Sequence, residues 1–213
     1  MSGAAPAPQD DEPRIGPNAI LQTIGVLDRH LGRAERDRVM RLAGVPVPPP
    51  DSGMLPESQC RAVHQALRVD QGEAAEGLLW LSGLATGDYI LANRIPGFAK
   101  AIIRVLPGFL GARLLAAAIT KHAWTFVGSG RFRVESFRPL TFRIDDNPLR
   151  ADAAERPSCF WHAAVFERLF GRLVWPEVTV EEISCASVSG GPCLFVLHPQ
   201  GKKTAMPSSV HSG

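Results

Sequence analysis

Three of the four cysteines, Cys159, Cys185 and Cys193, lie close together near the C-terminal end of this 213-residue chain. Thiolates are ligands that a borderline-soft cation such as Zn²⁺ prefers, usually in tetrahedral sets of four. The N-terminal run MSGAAPAPQDDEPR lacks the apolar core of a signal peptide, which predicts a cytoplasmic, reducing setting. The spacing therefore predicts a metal site rather than a disulfide framework.

The fourth ligand stays open from spacing alone. His162 follows Cys159 by about one helical turn, whereas Glu181 and Glu182 lie on the predicted strand that leads to Cys185. Glu182 and Cys185 are an odd number of residues apart, so a bulge or turn must intervene for both to face the same side. Taken singly, each cysteine is more often a core residue than a ligand.

Composition limits the classes of partner. A hydrophobic content of 45% and a charged content of 21% predict a globular chain with a core of its own. The formal charge of +2 is too small to predict a nucleic-acid surface. The longest apolar region, residues 102–127, is interrupted by charged residues and by Pro107, so it does not predict a membrane span. Peripheral contact with a membrane stays open.

The first two-thirds of the chain predict helices. Residues 1–14 read as a disordered tail, and residues 15–198 as one domain whose first part, 15–70, is a helical subdomain. Gly83 and Gly87 fall inside a predicted helix, which usually indicates close packing. The pair of helices divided at Pro107-Gly108 is expected to be the most buried. The predicted helices begin near Ile15 and then span 34–43, 57–69, 74–93, 98–106 and 109–126.

Alternating patterns take over at Gly128. Residues 131–135 and 142–144 predict half-buried strands that Asn147-Pro148 closes into a hairpin-like unit. A helix from Cys159 follows, with one apolar face, and then two strands, 178–183 and 193–197, joined by a turn at 189–192. Residues 199–213 read as a second disordered tail. The fold class is therefore α+β, with helices packed on an antiparallel sheet.

Several runs resemble the 4-vinyl reductase domain family, in particular the BchJ family of bacteriochlorophyll biosynthesis. The resemblance extends from Arg14 to Leu197. It rests on RIGPNAILQ (14–22), GDYILANRIP (87–96), KHAWTFVGSG (121–130), NPL (147–149) and the block 159–193.

The same domain is similar to aromatic-sensing input domains of bacterial transcription activators, in which a Cys, a Glu and two further Cys bind zinc. Their order and spacing match Cys159, Glu182, Cys185 and Cys193. The resemblance thus implies Glu182 as the fourth ligand and a structural zinc ion, because four protein ligands close the coordination shell. It leaves His162 a role in the core or beside the ligands.

The resemblance implies work on the 8-vinyl group of divinyl protochlorophyllide. A reductase needs an electron donor, yet Gly128-Ser129-Gly130 lacks the third glycine of the dinucleotide fingerprint and precedes strands. No flavin or iron–sulfur spacing is seen either. We therefore favour a carrier of a Mg-tetrapyrrole precursor for the pathway enzymes. The alternatives are the 8-vinyl reductase itself and a small-ligand-sensing or scaffolding domain.

The predicted tetrapyrrole pocket is placed along the helical pair 98–126. Trp124 offers an apolar ring, His122 a ligand for Mg²⁺, and Arg94 or Arg131 a partner for the pigment carboxylate. The plainer interpretations are a helix-capping His122, a core Trp124 and a solvated Arg131. A location peripheral to the photosynthetic membrane and a homodimer both fit the sequence.

Overall fold

The computed structural model describes residues 12–199. The first half is helical and confirms the predicted order of helices. Gly44 adopts the left-handed conformation that ends α2, as expected of a glycine at a helix C-terminus. Two very short strands pair antiparallel across the first two helices. The elements are β1 (Arg14–Ile15), α1 (Asn18–His30), α2 (Arg33–Ala43), β2 (Leu55–Pro56), α3 (Glu57–Gln71) and α4 (Ala74–Asn93).

The second half adds a helical pair and a four-stranded antiparallel sheet of order β3-β4-β6-β5. This arrangement confirms the α+β class. Residues 1–11 and 200–213, where the sequence predicts tails, lie outside the described residues. The elements are α5 (Gly97–Val105), α6 (Gly108–Lys121), α7 (Trp124–Val127), β3 (Arg131–Phe137), β4 (Leu140–Asp145), α8 (Phe160–Leu173), β5 (Thr179–Ser184), α9 (Ala186–Ser189) and β6 (Cys193–His198).

Helix α8 lies between the sheet and α4. On the sheet side, the ring of Phe166 is 4.9 Å from that of Phe142 and 5.5 Å from that of Phe195, in edge-to-face geometry. On the opposite side, Trp161 and Ala164 meet α4. The sequence predicted one apolar face for this helix, whereas the structure buries two, and the helix is buried over most of its surface.

Glycines in α4 make this approach possible. A Cβ atom added at Gly83 would lie 2.3 Å from the carbonyl oxygen of Trp161 and 2.7 Å from the Cβ of Ala164. One added at Gly87 would lie 2.7 Å from the Cβ of Arg168. The prediction that these glycines mark close packing is therefore confirmed, and the partner is α8.

The prediction that α5 and α6 form the most buried helical pair is wrong. Phe98, Val105 and Phe109 are 71%, 81% and 63% exposed. The inward face of α6 is rich in small residues, and the backbone of α5 approaches it closely: a Cβ atom at Gly111 would lie 3.1 Å from the carbonyl oxygen of Ile103. Small residues mediate the contact, so most of the large apolar side chains point outward.

Two further differences concern local pairing. The turn between β3 and β4 lies at Arg138-Pro139, because Phe137 pairs with Leu140; Asn147-Pro148 follows β4 instead of closing the hairpin. Arg14, which the sequence assigns to the tail, pairs with Pro56. None of the helices between residues 12 and 199 is both long enough and apolar enough to cross a bilayer.

The contact between α4 and α8 gives a paired prediction. We expect Gly83→Ala to destabilise the protein by several kcal/mol, because the added methyl group collides with backbone in a packed core. Gly25→Ala in α1 gains the same helix propensity, and its Cβ would meet nothing within 4 Å, so it should stabilise by about 1 kcal/mol. Denaturant unfolding of the two variants measures both signs; equal effects would contradict the packing described.

Candidate metal centre

Four side chains converge where α8 meets the last strands. Cys159 is the residue that precedes α8, and Glu182 lies on β5. Cys185 precedes α9, and Cys193 begins β6. One ligand atom from each lies within 4.8 Å of all the others. The structure therefore brings together the four predicted metal ligands, and this group could hold a metal ion.

The sulfur separations suit an ion better than a disulfide. The Sγ atom of Cys159 lies 3.8 Å from that of Cys185 and 3.5 Å from that of Cys193. A disulfide requires about 2.05 Å, and all the cysteines are free. A tetrahedral ion with metal–sulfur bonds of about 2.3 Å spaces its sulfurs about 3.8 Å apart. The three thiols are thus already spread to the width of a bound ion.

An irregularity in β5 solves the parity problem. The register of β5 against β6 shifts between Glu182 and Ser184, which lets Glu182 and Cys185 face the same side. Ile183, at the shift, is turned outward and is 53% exposed. Glu181 also faces outward and pairs with His198 at 3.1 Å. Of the two glutamates, Glu182 is the one that reaches the cysteines.

His162 is a core residue. Its ring lies among aromatic rings, 4.9 Å from that of Trp161 and 6.2 Å from that of Phe195. Burial lowers the pKa of His162 to about 4, so the imidazole is neutral at physiological pH. It does not belong to the converging group of four.

The electrostatics of the centre also fit a cation. Burial raises the pKa of Glu182 to about 8. Its Oε2 atom accepts a hydrogen bond from the backbone N–H of Cys159 at 2.8 Å, whereas its Oε1 atom is buried without a hydrogen-bond partner. Hydrogen bonds donated by the thiols of Cys159 and Cys193 lower the pKa of Cys185. A metal ion would replace the shared protons and supply the partner that Oε1 lacks.

Asn147 supports two of the ligands. It is fully buried, and its Nδ2 atom lies 3.3 Å from the Sγ of Cys159 and 3.6 Å from that of Cys193. Its Oδ1 atom accepts from the N–H of Leu149, which fixes the amide. N–H donors stabilise negative charge on sulfur, and such outer contacts orient metal ligands. The sequence analysis missed this role; Asn147 stood only among the residues of the family resemblance.

Arg68 of α3 brings positive charge to the same region. Its guanidinium donates to the carbonyl oxygens of Leu149 and Ser158 at 3.2 and 3.5 Å. Burial lowers the pKa of Arg68, and the charges of the cysteines and of Glu182 counteract this. Three thiolates and a carboxylate around a divalent ion leave net negative charge, which Arg68 partly offsets. No sequence pattern linked this helical residue to the cysteines.

The four residues predicted for a tetrapyrrole pocket all lie at the surface. His122 ends α6, Trp124 begins α7 and is 57% exposed, and Arg131 begins β3 and pairs with Asp146 at 3.3 Å. Arg94 follows α4, with its guanidinium 5.7 Å from the ring centre of Tyr89. None of the four lines the surface depressions at residues 37–47 or between α8 and Leu84. The tetrapyrrole role of these residues stays a prediction.

Comparisons with known proteins agree with the site and the fold. Residues 140–199, which include the four converging side chains, match the model of the 4-vinyl reductase domain. The chain is 99% identical over 213 residues to the bacteriochlorophyll synthase 23 kDa chain of Rhodobacter capsulatus, covering 100% of both. It is 57% identical over 190 residues to the protein of the same name from Cereibacter sphaeroides, covering 89% of this chain and 92% of that relative.

A solved structure shares the fold at low sequence identity. A mutant of the H-NOX protein from K. algicida, in its Fe(II) unliganded state, superposes with a TM-score of 0.56 and 14% identity, covering 89% of this chain and 98% of that one. At this identity the likeness concerns the fold alone.

The convergence of four ligands predicts one metal ion per chain. We expect Cys185→Ser to lose the ion and to lower the melting temperature, since structural zinc sites contribute on the order of 10 kcal/mol in small metal domains. Element-resolved mass spectrometry and thermal melts of the purified protein measure both effects. Cys60→Ala is the matched control, because it also removes a buried thiol but lies outside the group of four. Purified protein with only a trace of metal would contradict the prediction.

Asn147 yields a second prediction at this centre. Asn147→Asp keeps the shape and the acceptor for Leu149 but replaces the donor near two sulfurs with negative charge. We expect metal affinity to fall by about 10- to 100-fold, as is typical for the loss of outer contacts to metal ligands. Competition with a chromogenic chelator measures the change. Unchanged affinity would show that Asn147 only holds the loop.

Proposed function

Because this chain belongs to the family of the bacteriochlorophyll synthase 23 kDa chains, we propose that it acts in bacteriochlorophyll biosynthesis as a carrier. In this role it binds a Mg-tetrapyrrole precursor, divinyl protochlorophyllide or a close relative, and presents it to the pathway enzymes. The family supplies the pathway. The observation that favours carriage over catalysis is the metal centre itself, in which four protein side chains converge and leave no position for a substrate.

The metal in this proposal is structural zinc. Three thiolates and one carboxylate form a donor set that suits zinc, and the cysteines are at most 3% exposed. When bound, the ion would connect the start of α8 to β5 and β6. Glu182 and the three cysteines would hold it, while Asn147 would orient two of the sulfurs.

The proposed pigment site is the surface formed by His122, Trp124 and Arg131. These residues stand at the end of α6, the start of α7 and the start of β3, and α7 packs on β3. A flat apolar macrocycle can stack on the exposed indole, and a neutral imidazole can ligate Mg²⁺. An arginine can pair with the pigment carboxylate.

Two arginines compete for the carboxylate role. Arg131 lies beside Trp124 but already pairs with Asp146 at 3.3 Å. Arg94 has no carboxylate partner among residues 12–199; its guanidinium lies over the ring of Tyr89. Separate Arg94→Gln and Arg131→Gln variants distinguish the two, because only the partner of the pigment carboxylate should weaken binding.

Titration of the purified protein with divinyl protochlorophyllide tests the carrier role. We expect a shifted Soret band without turnover, and Trp124→Ala should weaken binding about tenfold through the loss of an aromatic contact worth about 1 to 1.5 kcal/mol. Leu42→Ala is the matched control, because it removes an apolar side chain of similar exposure, 54% against 57%, on α2. His122→Ala should alter the band shape if the imidazole ligates the metal.

The same titration with reductant separates the alternatives. If NADPH or reduced ferredoxin converts divinyl to monovinyl pigment on the protein, the chain is the reductase and the carrier proposal is wrong. Absence of binding would contradict both roles and favour a scaffold that co-purifies with a pathway enzyme. Binding that ignores Trp124, His122 and both arginines would place the pigment elsewhere on the protein.

A further inference from the structure

The corner between α5 and α6 exposes large apolar side chains. On α5 they recur at i, i+4 and i+7, and on α6 two of them are four residues apart, so each helix presents an apolar stripe. Every one of them is at least 41% exposed. We call this group the corner surface; its members are Phe98, Ile102, Val105, Phe109, Leu110 and Leu114.

The charge around the corner surface has a single sign. Residues 89–134 contain no Asp or Glu and seven Lys or Arg residues. Since the whole chain carries only +2, the rest of the protein is net acidic. Among residues 12–199, none of the five cations in and next to α5 and α6 forms an ion pair with a carboxylate. These cations are Arg94, Lys100, Arg104, Arg113 and Lys121.

The cations keep to the edges of the apolar stripes. Lys100 donates to the carbonyl oxygen of Leu91, Arg104 to that of Arg172, and the guanidinium of Arg113 lies 4.6 Å from the ring centre of Phe137. These contacts leave each positive charge without a counter-charge. An apolar centre with an uncompensated basic rim is the pattern of a helix that lies in the interface of an anionic bilayer.

We propose that the corner surface docks this protein on a membrane rich in anionic lipids. The apolar side chains enter the boundary between headgroups and acyl chains, and the cations contact lipid phosphates. A second copy of this chain fits less well, because the contact would bring two basic rims together. Nucleic acid fits less well too, since the centre of the surface is apolar. The inference goes beyond the carrier proposal and does not depend on it.

Vesicle co-sedimentation with full-length, metal-loaded and pigment-free protein tests the proposal. We expect binding to phosphatidylcholine vesicles that contain phosphatidylglycerol, weak binding to phosphatidylcholine alone, and loss of binding at high salt. Val105→Asp should lower the partition coefficient at least tenfold. Arg104→Gln should lower it about fivefold, the effect of one cation near an anionic surface.

The matched control is Val69→Asp. Val69 is 74% exposed on α3, against 81% for Val105, so both variants place a carboxylate at a valine in solvent, and only one lies in the corner surface. We expect Val69→Asp to bind vesicles like the unchanged protein. Phe98→Ser is a second variant of the corner surface, and metal content and circular dichroism show whether each variant is folded.

Three outcomes would overturn the proposal. The first is no binding to anionic vesicles, and the second is equal binding by Val105→Asp and Val69→Asp. The third is a dimer, seen by light scattering, that Val105→Asp converts to a monomer, because the corner surface is then an interface between copies. Pigment titration of the Val105→Asp variant is a separate readout, so failure of membrane docking and failure of carriage are distinguishable.

Discussion

The position of α8 between the sheet and α4 is the constraint on which the rest of the structure depends. A helix buried on two sides needs aromatic residues toward one layer and a close backbone approach toward the other. Phe166 and Phe170 supply the first, and Gly83 and Gly87 of α4 permit the second. Because α8 is fixed in this way, its N-terminal end has only one place to meet the strands. That place is the metal centre.

The metal centre in turn joins the two halves of the molecule. Its ligands come from α8, β5, β6 and the residue before α9, while Asn147 follows β4 and Arg68 reaches in from the helical half. Three thiols and a carboxyl group in one buried cluster are costly without a cation, because each would compete for the same protons. Total folding stabilities are about 5–15 kcal/mol, so an ion bound here would contribute a large part of this protein's stability.

The sequence allowed local features to be predicted and long-range ones only where chemistry gave a signal. The bounds of α4 were predicted correctly because glycine and polar residues delimit it, and the need for a bulge before Cys185 followed from strand parity alone. Burial of α5 and α6 was predicted wrongly, because apolar composition does not reveal whether another layer covers a helix. Asn147 and Arg68 were missed because neither residue type nor spacing shows which distant side chains will share a site.

These features divide the molecule into a closed part and an exposed part. The buried thiols cannot meet a substrate without unfolding part of the hairpin, so any ligand must be met at the surface. The exposed aromatic and cationic residues gather on α5, α6 and their neighbours, with Trp124 just beyond one end of α6 and the corner surface at the other. A helix of 14 residues is about 21 Å long, which separates the two regions by more than the width of a helix. A protein resting on a membrane by its corner would therefore keep the Trp124 end free to hold a pigment, and the two proposals do not compete for the same side chains.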